Sequence, residues 1–572
     1  MHQPIEMNLE TQVNLSPKCP LTPALSSDGG EGVGSLGAAS DVIRPSPPAG
    51  EKVPGGRMRG NLRTAKGARL DRIYARFNSA AVNSARRLHM AAESKCHRRP
   101  IFLAVGLSVA MLAGCAVGPN YSRPRVASPT AWKEGAITTP NTNAATLSTN
   151  WWTIFNDAEL DSLEVQALAA NQDLKRAVAR VTEARAIARM AEAEVYPNLS
   201  ASGGHSLNRA SENVAHAPRQ GFEYKDHYRQ LELGYEIDAW GRVRRSIEAA
   251  KADFAVTETD QQVVQLTLTS DVARNYMLLR SLDREKEVVQ ATTALRRDTV
   301  QLQETRNQAG LINEVDVTRA RTELANVEAE LHAITRSRAQ VEHALAILCD
   351  KAPAEFTVSA TPKNLMPPEI PAGLPSALLE RRPDVVAAEH RLHGECARIG
   401  IAEAAFFPTI KLTGYGGGAT ADLGTLLDWQ SRFWSVGPSI HFPIFEGGRN
   451  QANLKAAKAR YEQSIAAYRG SVLNAFREVE DSLSDLSTLA AQSEAVNRAL
   501  VSARTTATLA DERYQRGLTS YLDVVDAQRA ALQAERAEVQ LAGQRAVSTI
   551  LLAKALGGGW QRPDAPEVAS TK

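Results

Sequence analysis

From Val243 to Ala309 the chain runs for 67 residues without a glycine or a proline. At ~1.5 Å per residue an unbroken helix of that length spans roughly 100 Å. It is too long for an ordinary globule and too polar to cross lipid. The long helical stretches of the chain are rich in Ala, Glu, Gln, Arg and Leu, with sparse apolar positions three and four apart. That spacing predicts long helices packed as coiled coils.

The same grammar is written twice. "DLKRAVARVTEARAIARMAEAEVYPNLSASG" begins at Asp173, and "DVVAAEHRLHGECARIGIAEAAFFPTIKLTG" begins at Asp384. Pro197 falls on Pro408 at an offset of 211, whereas Arg242 falls on Arg449, Gly310 on Gly517 and Asp316 on Asp523 at 207. The difference of four lies between Pro197 and Arg242, where loops belong. Each half reads as a helix of about 25 residues ending at the proline, two alternating stretches, a rod, a turn at Gly310 or Gly517, and a returning helix of about 34 residues. The second rod, Asn450 to Arg516, has Gly470 as its one candidate break.

The alternating stretches carry the functional signal. In "YRQLELGYEIDAW", Leu231, Leu233, Tyr235 and Ile237 fall on one face, with Glu232, Glu236 and Asp238 on the other. In "FWSVGPSIHFPIF", Trp434, Val436, Ile440, Phe442 and Ile444 alternate with Ser435, Gly437, Ser439 and His441. "NLSASGGHSLN" and "TIKLTGYGGG" supply a weaker first strand to each hairpin. A strand with one apolar face fits a sheet on a soluble core, or a lipid-facing barrel wall around a wet lumen. The carboxylates want water on the second face, so Glu232, Glu236 and Asp238 are candidate lumen residues. Four strands cannot close a membrane barrel, which starts at about eight, so a barrel needs more than one chain.

Residues 1–89 are rich in Gly, Pro and Ser and hold no lasting apolar periodicity. We expect a start assigned too far upstream, with Met90 as the true first residue; an arginine-rich cytosolic extension is the alternative. Lys95, His97, Arg98 and Arg99 then precede an uncharged apolar run, Ile101 to Ala113, too short to span a bilayer as a helix. "LAGC", ending at Cys115, resembles a bacterial lipoprotein box, so residues 90–114 are expected to be a signal peptide. The resemblance implies cleavage before Cys115 and lipidation of its thiol, with Ala116 in the following position directing the product to the outer membrane.

The whole chain has 66 Lys and Arg against 64 Asp and Glu. Residues 1–114 hold 15 of the bases and 8 of the acids, so the remainder carries a net charge of about −5. The basicity is a precursor property and gives no argument for a nucleic-acid partner. Of the five cysteines the mature chain keeps Cys115, Cys349 and Cys396. The last two lie in helical pattern and are expected as lone buried thiols. "EHRLHGEC" places His390, His393 and Cys396 on neighbouring helix faces, but without a further ligand it is a weak metal signal, and none is expected. No HExxH, P-loop or nucleophile elbow appears, so the chain is not expected to be an enzyme.

Taken in order, the motifs are Cys115-x-x-Gly118-Pro119-x-Tyr121-x-x-Pro124, "WWTIFNDAELDSL" from Trp151, "ERRPDVVAAEHRL" from Glu380, "IGIAEAAFFPTIKL" from Ile399, "PIFEGGRNQANLKAAKARYEQ" from Pro443 and "RYQRGLTSYLDVVDAQRAAL" from Arg513. Across essentially all of 115–572 the chain resembles the outer membrane efflux channels of the TolC/OprM type, in the NodT-like lipoprotein branch that serves RND pumps. The resemblance implies a mainly α fold of duplicated coiled-coil halves. These form a periplasmic α-barrel, and four strands per chain enter a twelve-stranded, trimeric outer-membrane β-barrel. It implies residues 115–160 as a lipidated segment of an equatorial belt, repeats at 161–350 and 376–557, a linker at 351–375 and a tail at 558–572. It further implies a passive duct for small molecules, fed by a periplasmic adaptor protein and an inner-membrane RND pump, with no cofactor beyond the lipid on Cys115.

The resemblance also places a gate. The turns Gly310–Asp316 and Gly517–Asp526 match the periplasmic tip that closes such tunnels. Asp526 matches the gate aspartate of both TolC-like and OprM-like members, Asp523 that of the TolC-like pattern, and Leu522 the apolar constriction of the OprM-like one. Gly310, Leu311, Gly517, Leu518 and Thr519 would form the tip that meets the adaptor. A lipid-anchored coiled-coil protein of the envelope that makes no pore is the competing class.

Overall fold

A computed structural model of the chain describes residues 116–134, 147–209, 211, 223–363, 365, 366, 368, 370 and 378–562. Cys115, the expected signal peptide at 90–114 and the expected extension at 1–89 lie outside the described residues.

The two halves have the same elements. The first comprises α1 (Ala158–Ala170), α2 (Gln172–Ala193), β1 (Asn198–Arg209), β2 (Glu223–Ile237), α3 (Arg242–Gln308) and α4 (Glu314–Leu348). The second comprises the short α5 (Leu378–Arg381), α6 (Pro383–Ala404), β3 (Thr409–Thr420), β4 (Arg432–His441), α7 (Arg449–Gln515) and α8 (Tyr521–Ala555). The rods α3 and α7 each have 67 residues, and the returning helices α4 and α8 each have 35. Gly470 does not interrupt α7. Among the described residues no helix is apolar enough over a sufficient length to cross a membrane.

Both rods start one residue before the expected position. Gly241 (φ 84°) and Gly448 (φ 86°) take the left-handed conformation at the N-cap, which glycine adopts without strain and which turns the strand into the helix. Both rods end alike. At Gly310 and Gly517 (each φ 72°) the glycine N–H bonds back to Asn307 and Tyr514, and the N–H of the next leucine bonds to Arg306 and Arg513. This is the paired-bond helix stop that a left-handed glycine permits.

The four strands form one antiparallel sheet in the order β1-β2-β3-β4. β2 and β3, from different halves, pair directly from Ile237↔Ile410 to His227↔Thr420. Within this chain β1 and β4 are the two edges.

A large core joins the halves in the helical region beneath the sheet. Trp151, Trp152, Leu160, Val272, Tyr276, Leu345, Val472 and Ile550 are buried in it together. The "WWTIFND" motif is explained there: Trp151 Nε1 donates to Thr269 Oγ1 at 3.3 Å, and Asp157 Oδ2 accepts from Tyr276 Oη and Lys363 Nζ, both at 2.7 Å. Arg280 is fully buried and ties the region by donating to Asp283 (2.9 Å) and to the Ser359 carbonyl (2.6 Å).

The segment after Cys115 is fastened to the junction of strand and rod. The Val117 N–H donates to the Trp240 carbonyl at 3.0 Å, and Arg245 Nη2 donates to Asn120 Oδ1 at 2.8 Å. A Cβ on Gly118 would meet Gly400 Cα at 2.5 Å, so the chain passes as close to α6 as a backbone can. Tyr121 stacks on His393 with ring centroids 4.8 Å apart. His393 also lies 2.9 Å from Glu248, and the Cys396 thiol donates to the Pro119 carbonyl at 3.6 Å. His393 and Cys396 thus serve to dock the N-terminal segment. Among the described residues no group of three candidate ligands could hold a metal. Cys349 and Cys396 are both free and buried.

Candidate functional site

Two regions hold the residues singled out in the sequence: the tip where the rods turn, and the sheet.

At the tip a small apolar cluster fixes the start of α8. Tyr521, Val524 and Val525 are buried with Ala320 of α4, and Val300, Ala510 and Tyr514 pack against them. Their spacing turns Leu522, Asp526 and Arg529 to the exposed face of the helix. Arg529 crosses to α4, where Nε donates to Glu323 Oε2 at 2.9 Å and Nη2 to Oε1. Its Nη1 lies 3.5 Å from Asp526 Oδ1. Arg296 of α3 is buried behind this pair, 4.0 Å from Glu323 and donating to Gln528 Oε1 at 2.7 Å. Three helices therefore meet through one buried carboxylate, Glu323, which the sequence reading had not singled out.

The two aspartates at the start of α8 have different surroundings. Asp526 is exposed and keeps a carboxylate oxygen toward solvent beside Arg529. Asp523 is turned back on the N-terminus of its own helix. Its Oδ2 accepts from Ser520 N (3.1 Å), Ser520 Oγ (2.8 Å) and Thr519 Oγ1. The hydrogen bonds from Thr519 and Ser520 hold its carboxyl below the ordinary aspartate value. Asp316, its counterpart in the first half, gives its backbone N–H to the Asn313 side chain and its carboxylate to Arg319. Thr519 thus acts within the cap of α8, while Leu311 and Leu518 stand exposed beyond Gly310 and Gly517.

In the sheet the cross-strand register sorts every residue to a face. On one face Leu199, Leu233, Gly414 and Val436 form a row, and Ala201, Leu231, Gly416 and Trp434 form the next. Leu199, Leu231, Trp434, Val436 and Ile440 are all strongly exposed in the chain. On the other face Ser200, Glu232, Tyr415 and Ser435 form a row, and Glu236, Lys411 and Ser439 form another. Glu232 accepts from Ser202 Oγ at 3.4 Å and from Gln230. Glu236 reaches the base of the sheet and accepts from Arg242 Nε at 2.7 Å.

Asp238 departs from the expectation. It lies beyond β2, and its carboxylate takes the N–H groups of Val243 (3.2 Å) and Arg244 (2.9 Å), the unsatisfied donors at the start of α3. It is a capping residue at the strand–rod corner rather than part of the polar face of the sheet. The alternation continued to it in sequence, and the helix claimed it in space.

The geometry is that of a sheet with one apolar and one polar face, carried on long helical rods that turn at an acid- and arginine-bearing tip. The sequence model of the family described as outer membrane efflux protein matches residues 163–349 and 374–558. Outer membrane protein OprJ of Pseudomonas aeruginosa is 33% identical over 469 residues, covering 81% of this chain and 97% of its own. The cation efflux system protein CusC of Escherichia coli O6:H1 is 33% identical over 472 residues, covering 82% and 100%. Among solved structures, the outer-membrane channel OprN superposes with a TM-score of 0.73 at 30% identity, over 78% of this chain and all of that one. The Campylobacter jejuni CmeC outer membrane channel superposes with a TM-score of 0.74 at 26% identity, over 79% and 96%. A two-faced sheet, duplicated rods and relatives matched over nearly their whole length lead to one conclusion: the chain belongs to the outer membrane efflux protein family.

Proposed function

We propose that three copies of this chain close their sheets into a twelve-stranded barrel in the outer membrane and continue it into the periplasm as a helical duct. The observation that carries this reading is the sheet itself. It has four strands with two edges in one chain, large exposed apolar side chains on one face and Ser, Glu and Lys on the other. Lipid contains no water to satisfy open strand edges, so such a sheet is stable there only when closed by other copies. The duct is passive and carries small molecules delivered by an RND pump through a periplasmic adaptor, which docks at Gly310, Leu311, Gly517, Leu518 and Thr519. Asp526 and Leu522, projecting from the exposed face of α8, form the constriction, and three copies of Asp526 make a ring of carboxylates. Asp523 contributes by holding the helix start rather than by facing the pore. No catalytic step is part of this role.

Lipidation of Cys115 fits the same arrangement. The next residue, Ala116, packs so closely on Gly241 that a Cβ there would lie 2.7 Å from Ala116 Cβ. Gly241 marks the corner where β2 becomes α3. The described chain thus begins beside the corner of strand and rod, which supports an anchor that enters the inner leaflet near the base of the sheet.

Single-channel recording of the purified oligomer in planar bilayers tests the proposal. A cation-blockable conductance is the expected result. A folded oligomer without conductance would overturn it in favour of an anchored coiled-coil scaffold.

A further inference from the structure

The apolar face of the sheet changes character at the end away from the rods. The row of Ala201, Leu231, Gly416 and Trp434 is followed outward by Gly203, Arg229, Gly418 and Arg432, and then by His205, His227 and Thr420. Lys225 follows on the same face. Arg229, Arg432 and Lys225 are exposed, and none forms an ion pair with a carboxylate among the described residues. Arg432 is held in place with its guanidinium 4.4 Å above the Trp429 ring. His205 and His227 stack with ring centroids 4.3 Å apart.

A second feature marks the same place. The turn between β3 and β4 folds onto this face, because a Cβ on Gly418 would meet the Leu426 carbonyl at 2.7 Å. The turn is ordered by its own bonds, Thr420 Oγ1 to Thr425 Oγ1 at 2.7 Å and Ser431 Oγ to the Thr425 carbonyl at 2.8 Å. Yet Leu423, Leu427 and Trp429 stand exposed on it, at 64%, 66% and 75%. Of the acids there, Asp422 is occupied by the Gly424 N–H at 3.0 Å, Asp428 precedes Trp429, and Glu223 pairs with Arg209.

We infer that this outward collar binds the phosphorylated glycolipid of the outer leaflet, with Arg229 and Arg432 on its phosphates and Leu423, Leu427 and Trp429 against its acyl chains. Arginine pairs with phosphate through planar, two-pronged hydrogen bonds and is weakly hydrated. Here two arginines stand on one face at one level, at the boundary where apolar rows end. The opposite face carries Gln230 and Phe433 at that level, so the cationic pair belongs to the outer surface alone. Aromatic side chains at this boundary suit the region between hydrocarbon and headgroup. The site rests on the barrel reading above, because it needs this face to look toward lipid.

The test uses the purified full-length oligomer, whose conductance is recorded in parallel so that a failed barrel is distinguished from a failed lipid site. Binding of bisphosphorylated lipid A, of the same lipid after phosphatase treatment, and of phosphatidylglycerol is compared by native mass spectrometry. The expected result is retention of the bisphosphorylated lipid, with affinity about tenfold weaker once phosphates are removed. The Arg229→Gln, Arg432→Gln double variant is expected to show the same loss, and Lys411→Gln on the opposite face is expected to leave lipid binding intact. Equal binding of the dephosphorylated lipid, or of phosphatidylglycerol, would overturn the inference. So would an unchanged affinity in the double variant. If the double variant does not assemble, the comparison of lipids on the unaltered protein decides.

Discussion

Arg529 holds Glu323 across the gap between α8 and α4 with two nitrogens on two oxygens, while its third nitrogen stands 3.5 Å from Asp526. One side chain thus ties the exposed acid of the tip to a buried acid on the neighbouring helix. Breaking the pair leaves Glu323, at a site that is 4% exposed, with Arg296 at 4.0 Å as its remaining ion-pair partner among the described residues. Arg529→Ala should cost about 1–3 kcal/mol locally and raise single-channel conductance. Urea unfolding followed by helix signal, together with bilayer recording, checks both parts; an unchanged conductance would remove Arg529 from the gate.

The two aspartates should separate experimentally. Asp526→Asn is expected to weaken block by multivalent cations, because it removes the carboxylate left to the exposed face. Asp523→Asn should leave block almost unchanged and loosen the start of α8. Because the Asp523 carboxyl is held low, its contribution is present above the ordinary carboxylate pKa and fades as pH falls through the lowered value. A pH titration of tip stability, compared between Asp523→Asn and the parent, reads this directly. Stronger loss of block in Asp523→Asn than in Asp526→Asn would reverse the assignment.

Neighbouring residues in β4 should respond oppositely to the same change. Val436→Arg puts a cation on the apolar face and should cost about 2–4 kcal/mol of assembly in the membrane. Ser435→Arg puts it on the polar face and should be tolerated. Yield of folded oligomer from outer membranes is the measurement, and equal loss in both would contradict the facing of the sheet.

Glu164 of α1 is fully buried, and neither carboxyl oxygen has a hydrogen-bond partner among the described residues. Burial first, and then the nearby Asp161 charge, push its pKa up to about 9. A raised acid is folded in its neutral form, so the stability it permits is complete below the unfolded value of 4.5 and declines as pH rises toward about 9. Glu164→Gln should therefore raise stability at pH 8 by about 1–3 kcal/mol and change it little at pH 4.5. Thermal melts at the two pH values check this. An identical difference at both would mean that Glu164 is ionised in place.

Protein extracted from outer membranes should have the mass of residues 115–572 plus acyl chains, and Cys115→Ser should lose the acyl mass. A chain retaining residues before Cys115 would reject the lipid anchor.

The rods were legible because their evidence is local: a run without proline, with Gly470 as the one internal glycine of the pair, closed at each end by a glycine. The faces of the strands were legible because alternation is a property of two or three consecutive residues. Asp238 was misplaced because alternation does not reveal where a strand yields to a helix whose N–H groups need an acceptor. The spacing of Asp523 and Asp526 put both on one helix face, and it says nothing about Ser520 and Thr519 hydrogen-bonding the first of them to the helix start. The Arg529–Glu323 pair was illegible, since nothing in the sequence joins two charges 206 residues apart. Glu164 gave no warning either, because an acid beside apolar neighbours in a helix is ordinarily at the surface.

The equal length of α3 and α7 restricts how this protein can change by inheritance. Seven residues added to one rod alone would carry its turn about 10 Å beyond that of its twin. One half of the tip would then overhang the other, and Arg529 would no longer be level with Glu323. Lengthening tolerated by the assembly must arrive in both halves of the gene, so the reach of the duct is a trait that evolves only by matched pairs of insertions.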